Sequence, residues 1–247
     1  MTIVTVTPNS TIDLTVFVPA WVPDTTMRTT RTVTSMGGKP ADASYILGEL
    51  GTASHATGFA AGATGQKVVS LLEGRGATCD FVWVDGETRI NVVVIDETAG
   101  THSTVTTTMM TVAAEHRAAL LDRVRGLMDG AAVLVTGGTL PHGVTPSFYA
   151  EIIEIARAAS VPVIFDAAEP NLSAGLAAGP TIIKPNRDEL SALVASAAPE
   201  IAGSHAVGRL SAVDATHAVG IYRVDAVIRR SQPLQETPAG RASGDPR

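Results

Sequence analysis

The stretch AVLVTGGTLPHGVTPSFYAEIIEIARAASVPVIF, residues 132–165, decides how the rest of the chain is read. It opens on a short apolar run, Ala132–Thr136, that reads as a buried strand and breaks at Gly137-Gly138. Pro146–Ala159 follows as a helix with proline near its start, where a missing N–H costs nothing. Val161–Phe165 is a second apolar, β-branched run and predicts another strand. Strand, helix and strand in so short a span predict a parallel crossover unit.

The same rhythm extends in both directions. Ile3-Val4-Thr5-Val6 is an opening strand stopped by Thr7-Pro8-Asn9. Ala41–Leu50 reads as a helix with Ala43, Ile46, Leu47 and Leu50 on one face and Gly51 as its stop. Val68–Arg75, stopped by Gly76, and Ala113–Met128, stopped by Asp129-Gly130, read likewise. Thr181-Ile182-Ile183 leads into Lys184-Pro185-Asn186. The expectation is an α/β sandwich over residues 1–190, with a mainly parallel sheet covered by helices on both faces. Two stretches break the pattern. Leu14–Ser35 and Phe81–Thr108 are rich in Thr and Val with two-residue alternation, which predicts a small antiparallel sheet beside the main one, with the polar Thr104–Thr111 at its edge. From Ser191 the periodicity is lost. The Pro-, Gly-, Ser- and Arg-rich sequence through Arg247 predicts a partly disordered tail, with net charge +1 against −7 for residues 1–190.

Composition narrows the function. The 247 residues are 45% hydrophobic, with formal net charge −6 and only 3 Lys among 18 basic residues, which argues against nucleic acid as the main partner. No apolar run approaches the ~20 residues of a membrane span, and Met1–Asp13 lacks a signal-peptide layout. The single Cys79 cannot form an internal disulfide, so a reducing, cytoplasmic location is expected. Neither G-x-x-x-x-G-K-[ST] nor a G-x-G-x-x-G following the first strand is present, and the six His are too scattered for a metal cluster.

Four segments stand out. Asp13 follows the first strand and turn. Gly37-Gly38-Lys39 precedes the first helix, where free N–H groups favour anions and hydroxyls. Thr136-Gly137-Gly138-Thr139-Leu140-Pro141 and Lys184-Pro185-Asn186-Arg187-Asp188-Glu189 each follow a strand. In a parallel sheet, ligands collect at such carboxyl ends. In this order, with Gly58–Gly65 and Gly86-Glu87-Thr88-Arg89-Ile90-Asn91 between them, the segments resemble the ribokinase-like sugar kinases of the phosphofructokinase B group, over about three quarters of the chain.

The resemblance implies a three-layer α/β/α sandwich with a small β lid, built from about 14–35 and 81–108, that closes over the sugar and often supplies a homodimer contact. It implies transfer of the ATP γ-phosphoryl to a hydroxyl of a hexose phosphate, with Mg²⁺. Asp13 then matches the carboxylate that accepts from sugar hydroxyls; the plain alternative is an Asp capping a turn. Gly37 and Gly38 match the pair that lets the backbone approach the sugar. Lys39 follows, but Pro40 stands where the family continues with a third glycine, and Asp42 stands where it places Asn. Asp42 is an acceptor only when ionised, whereas Asn both donates and accepts. Arg28 and Arg89, in the two lid stretches, match phosphate-binding arginines, whose guanidinium offers a bidentate fork. Asn91 shares a face with Arg89 by the strand period. Thr139 matches a hydroxyl near the sugar phosphate. Asn186 and Glu189, with Lys184 nearby, match an element that helps hold Mg²⁺ through water beside the nucleotide, or else form an ordinary helix cap with an acid three residues on.

One element is missing. The family's Gly-Ala-Gly-Asp segment, whose glycines open an anion hole and whose Asp serves as base, has no equivalent in the sequence, and Ser243-Gly244-Asp245 is only an echo of it. The expectation is a sugar-binding core, residues 1–190, joined to a divergent tail, 191–247, that lacks the nucleotide and catalytic segment. The chain would then be a truncated, impaired kinase or a catalytically inactive sugar-phosphate-binding remnant.

Overall fold

In a computed structural model, residues 1–107, 110–193, 210–213 and 221–224 are described. The β-branched run near the N-terminus forms β1 (Thr2–Thr7), with Val4 and Val6 buried at the centre of the main sheet. β1 pairs in parallel with β4 (Ser54–Ala60) on one side and with β9 (Ala131–Gly137) on the other. From β9 the sheet continues in parallel through β10 (Val163–Asp166) to β11 (Ile182–Ile183). The short strands β5 (Thr78–Cys79) and β6 (Val82–Trp83) both pair with β4.

Helices cover both faces. α1 (Lys39–Glu49) and α2 (Gly62–Glu73) lie on one, burying Ala41, Val68 and Leu72 with Ile12 and Met36. On the other, α3 (Ala114–Leu127), α4 (Ser147–Ala158) and α5 (Asn171–Ala177) bury Leu120, Val124, Phe148, Ile152 and Leu172. The four-residue spacing of Phe148, Ile152 and Ala156 puts them on one stripe of α4, which is why that helix seats so fully. The expected three-layer sandwich is the fold. α2 starts earlier than the apolar residues suggest, at Gly62 rather than Val68, because its first turn is polar and is stabilised from outside the helix.

A second, four-stranded sheet stands beside the first, in the order β3 (Arg31–Gly37), β2 (Thr11–Val18), β7 (Arg89–Asp96), β8 (Thr101–Thr106). It is the lid sheet. Its boundaries differ from the expected 14–35 and 81–108, since β2 begins at Thr11 and Val82–Trp83 belongs to the main sheet. Its central pair, β2 with β7, is parallel rather than antiparallel. Both strands leave the carboxyl ends of main-sheet strands, β2 after β1 and β7 after β4 and β6, so they run outward together. The polar edge is β8, exposed along its length, while Met110 just beyond it is buried in the core.

The 191–247 segment departs from the expectation in part. Leu193 is buried, and β12 (Leu210–Val213) and β13 (Ile221–Val224) extend the main sheet, β13 lying antiparallel to β11. The strands escape an amphipathic reading because sheet pairing is decided by backbone hydrogen bonds with distant segments. The rest of the segment expected to be disordered, including Asp245, and Thr108 and Met109, lie outside the described residues.

Candidate functional site

The site is built where the two sheets meet. Pro8 and Asn9 turn the chain from β1 into β2, and the Ser10 hydroxyl ties this turn to the Phe59 carbonyl of β4 at 3.0 Å. Three residues on, Asp13 lies within β2, opposite Asn91 on β7 and Ser35 on β3, so it is a strand residue and not a turn cap. The Asn91 Nδ2 donates to Asp13 Oδ1 at 2.8 Å, and the Thr106 hydroxyl donates to Asn91 Oδ1 at 2.9 Å, which fixes the amide's orientation. Gly37 closes against the same carboxylate. A Cβ there would sit 2.5 Å from Asp13 Oδ1 and 2.5 Å from Thr11 Cγ2, so glycine is required by close approach. Gly38, the N-cap of α1, has φ +92°, a conformation that disfavours side chains.

Pro40 fits the first turn of α1. Asp42 completes that turn, its N–H donating to the Gly38 carbonyl at 2.9 Å. Burial, with the charge of Asp13 adding to it, pushes the Asp42 carboxyl up to about 7. Arg89 opens β7, and the Thr11 hydroxyl holds its carbonyl at 3.2 Å. Its Nε is buried without a hydrogen-bond partner among the described residues. Burial lowers the guanidinium's pKa against the opposing pull of Asp13. Such a donor can be satisfied by a ligand anion.

A second group lies at the carboxyl ends of β10 and β11. Asp166, at the end of β10, is nearly buried and holds two lysines, Lys39 Nζ on Oδ1 at 2.6 Å and Lys184 Nζ on Oδ2 at 2.6 Å. Lys39 also reaches Glu189 Oε1 at 3.2 Å. Burial acts to lower the Lys39 pKa, but the hydrogen bond and charge of Asp166, aided by Glu189, outweigh it and leave the ammonium raised. Asn186 and Glu189 form a reciprocal helix cap, the Asn186 N–H on Glu189 Oε2 and the Glu189 N–H on Asn186 Oδ1, each at 2.8 Å. Thr139, after β9, accepts from the buried Asn9 amide at 2.9 Å, which links the ends of β1 and β9.

The structure thus brings Gly37, Asp42, Arg89 and Asn91 together around the Asp13 carboxylate, with Gly38 beside Gly37, and Lys39 leads from there to Asp166 and Glu189, Asp166 holding Lys184 as well. It does not bring Arg28 there. Arg28 is exposed in the 19–30 connection at the far end of the lid sheet, two residues before Thr30, whose N–H bonds the Phe17 carbonyl. Sequence reading missed Asp166, Asn9 and Glu87. Asp166 directly follows an apolar strand, the one signal that could have marked it.

The chain is similar to several proteins of known identity. The chain is 29% identical over 194 residues to the tagatose-6-phosphate kinase of Staphylococcus epidermidis, covering 78% of this chain and 62% of that protein. It is 31% identical to Escherichia coli phosphofructokinase-2 crystallised with substrates and products, with TM-score 0.73, covering 79% of this chain and 64% of that one. A ribokinase from Giardia lamblia superposes with TM-score 0.62 at 16% identity, over 78% of this chain and 60% of that one, a likeness of fold alone. The chain therefore spans somewhat under two thirds of the length of these proteins. The profile of pfkB family carbohydrate kinases matches residues 2–219, nearly the whole described chain, and the protein belongs to that family.

Proposed function

We propose that the protein takes a sugar phosphate into the cleft between its two sheets, as a hexose-phosphate kinase that uses ATP as phosphoryl donor. The observation that carries this reading is the Asp13–Asn91 pair, set against Gly37 and accompanied by the Arg89 guanidinium with its unpartnered Nε. A fixed carboxylate accepts from sugar hydroxyls, and a guanidinium beside it suits the phosphate. The tagatose-6-phosphate kinase and the phosphofructokinase among its relatives support a ketohexose phosphate as the class of substrate. Lys39 and Lys184 supply positive charge where a polyphosphate would approach, and Asp166 pairs with both.

Direct metal binding by the chain does not fit the residues present. Both Glu189 oxygens accept hydrogen bonds or ion pairs, and among the described residues no group of three His, Cys, Asp or Glu side chains could hold a metal. Mg²⁺ would arrive on the nucleotide and meet Asn186 and Glu189 only through water. The sequence contains no Gly-Ala-Gly-Asp. A missing general base alone costs about 10²–10⁴-fold and a missing anion hole about 10²–10³-fold, so this chain binds sugar phosphate and transfers phosphoryl slowly or not at all. A catalytically inactive sugar-phosphate-binding protein is the second reading, favoured by the same absence. Among the described residues no helix is long and apolar enough to cross a membrane. Exposed Val33 and Val105 on the lid strands suit a homodimer contact.

Purified protein with ATP, Mg²⁺ and a panel of hexose phosphates tests both levels, with thermal shift read alongside turnover. A raised Tm with at least one hexose phosphate and turnover far below ~1–100 s⁻¹ is expected. Turnover in that range overturns the impairment, and a panel without any shift overturns the cleft.

A further inference from the structure

Glu87 lies two residues before Arg89, which opens the lid strand β7, and its exposed carboxylate reaches back to the start of α2. Its Oε1 accepts from the Ala63 N–H and its Oε2 from the Thr64 N–H, each at 3.1 Å, in the first turn of α2. Thr88, fully buried, continues the seam. Its hydroxyl accepts from the Ala61 N–H at 2.9 Å, and its own N–H donates to the Ala61 carbonyl at 3.0 Å. Gly62, at φ +57°, leaves the space, since a Cβ there would fall on the Glu87 carboxylate. Four hydrogen bonds therefore stitch residues 61–64 to residues 87 and 88.

The next residue is Arg89. Its guanidinium makes no hydrogen bond or ion pair with any side chain among the described residues, and its Nε is buried. What fixes its direction is the backbone that delivers it, and that backbone is anchored by Glu87 and Thr88. We propose that Glu87 is a positioning residue for Arg89, clamping the start of the lid strand to the N-terminus of α2 so that the guanidinium is preset for a phosphate. A carboxylate suits this task because the free N–H groups and dipole of a helix start favour negative charge. The two backbone hydrogen bonds also hold its pKa below the ordinary carboxylate value, so the clamp remains charged at neutral pH. The inference rests on the proposed reading of Arg89 as a phosphate ligand.

The test is a double-mutant cycle on the full chain, read as binding of fructose 6-phosphate and of unphosphorylated fructose by calorimetry, with Tm recorded for every variant. Glu87→Ala should weaken fructose 6-phosphate roughly tenfold and leave fructose unchanged. Glu87→Gln, which keeps one acceptor oxygen, should restore part of the loss. In the Arg89→Ala background, Glu87→Ala should add nothing. A loss shared equally by both ligands, or one that adds in full to that of Arg89→Ala, overturns the proposal, because Glu87 would then act on the fold and not through Arg89. If Glu87→Ala does not fold, Glu87→Gln carries the same cycle with a smaller expected loss. Should Arg89→Ala itself fail to discriminate the two ligands, the reading of the cleft falls and this inference with it. If Arg89→Ala discriminates and the Glu87 variants do not, only this inference falls.

Discussion

At the scale of single residues, the site turns on the Arg89 guanidinium. Arg89 keeps a buried, unpartnered Nε beside Asp13. Replacing it with alanine should weaken a phosphorylated sugar roughly 10- to 150-fold relative to its unphosphorylated form, since a hydrogen bond to a charged group is worth about 1.5–3 kcal/mol. Equal losses measured by calorimetry would remove Arg89 from phosphate recognition. Asp42 makes a second prediction. Its folded-state carboxyl is raised to about 7 by burial and by Asp13, so the neutral form is the one the fold favours. The resulting stability is fully present below the unfolded value near pH 4, about that of a free Asp, and is lost as pH rises through about 7. Asp42→Asn cannot ionise. Its Tm should therefore gain on the wild type steadily from about pH 4 to about pH 7 and hold that lead above it. A difference independent of pH across that window would show that Asp42 ionises as freely folded as unfolded.

At the scale of elements, the cleft depends on β2 and β3 approaching closely where Gly37 passes Asp13. Gly37→Ala should cost about 1–3 kcal/mol by overpacking and should abolish sugar-phosphate binding by displacing the Asp13 carboxylate. Denaturant midpoints and ligand titration on the same variant separate the two effects, and unchanged binding would mean that the Asp13 carboxylate has no part in it. The elements were unequally legible. α4 was readable to within a residue at each end because its apolar stripe and flanking Pro146 are local signals. α2 was read six residues short, because its first turn is stabilised by Glu87, more than twenty residues away in sequence. β12 and β13 were missed for the same reason, since short strands take their definition from the neighbour they pair with.

Across the whole molecule, the lid sheet meets the core at the turn between β1 and β2, at Gly37-Gly38 and at Glu87-Thr88, and the cleft lies among these crossings. A ligand bound there would join the two sheets. Sugar phosphate at about 100 times its Kd should stabilise the native state by about 2.7 kcal/mol and slow amide hydrogen exchange in β2 and β7. Protection confined to the main sheet would place the ligand elsewhere.

The sequence alone determined the alternation of strands and helices, the second sheet as a class of element, and the candidates Asp13, Gly37, Gly38, Arg89 and Asn91. Each is marked by a local pattern, whether an apolar period, a glycine pair or a two-residue strand spacing. Only the tertiary structure decided that β2 and β7 run parallel, that Arg28 lies at the far end of the lid, and that Asp166 gathers Lys39 and Lys184. These facts depend on which ends of distant strands are brought together. A hydrogen bond or ion pair across more than a hundred residues leaves no periodic trace in the chain that makes it.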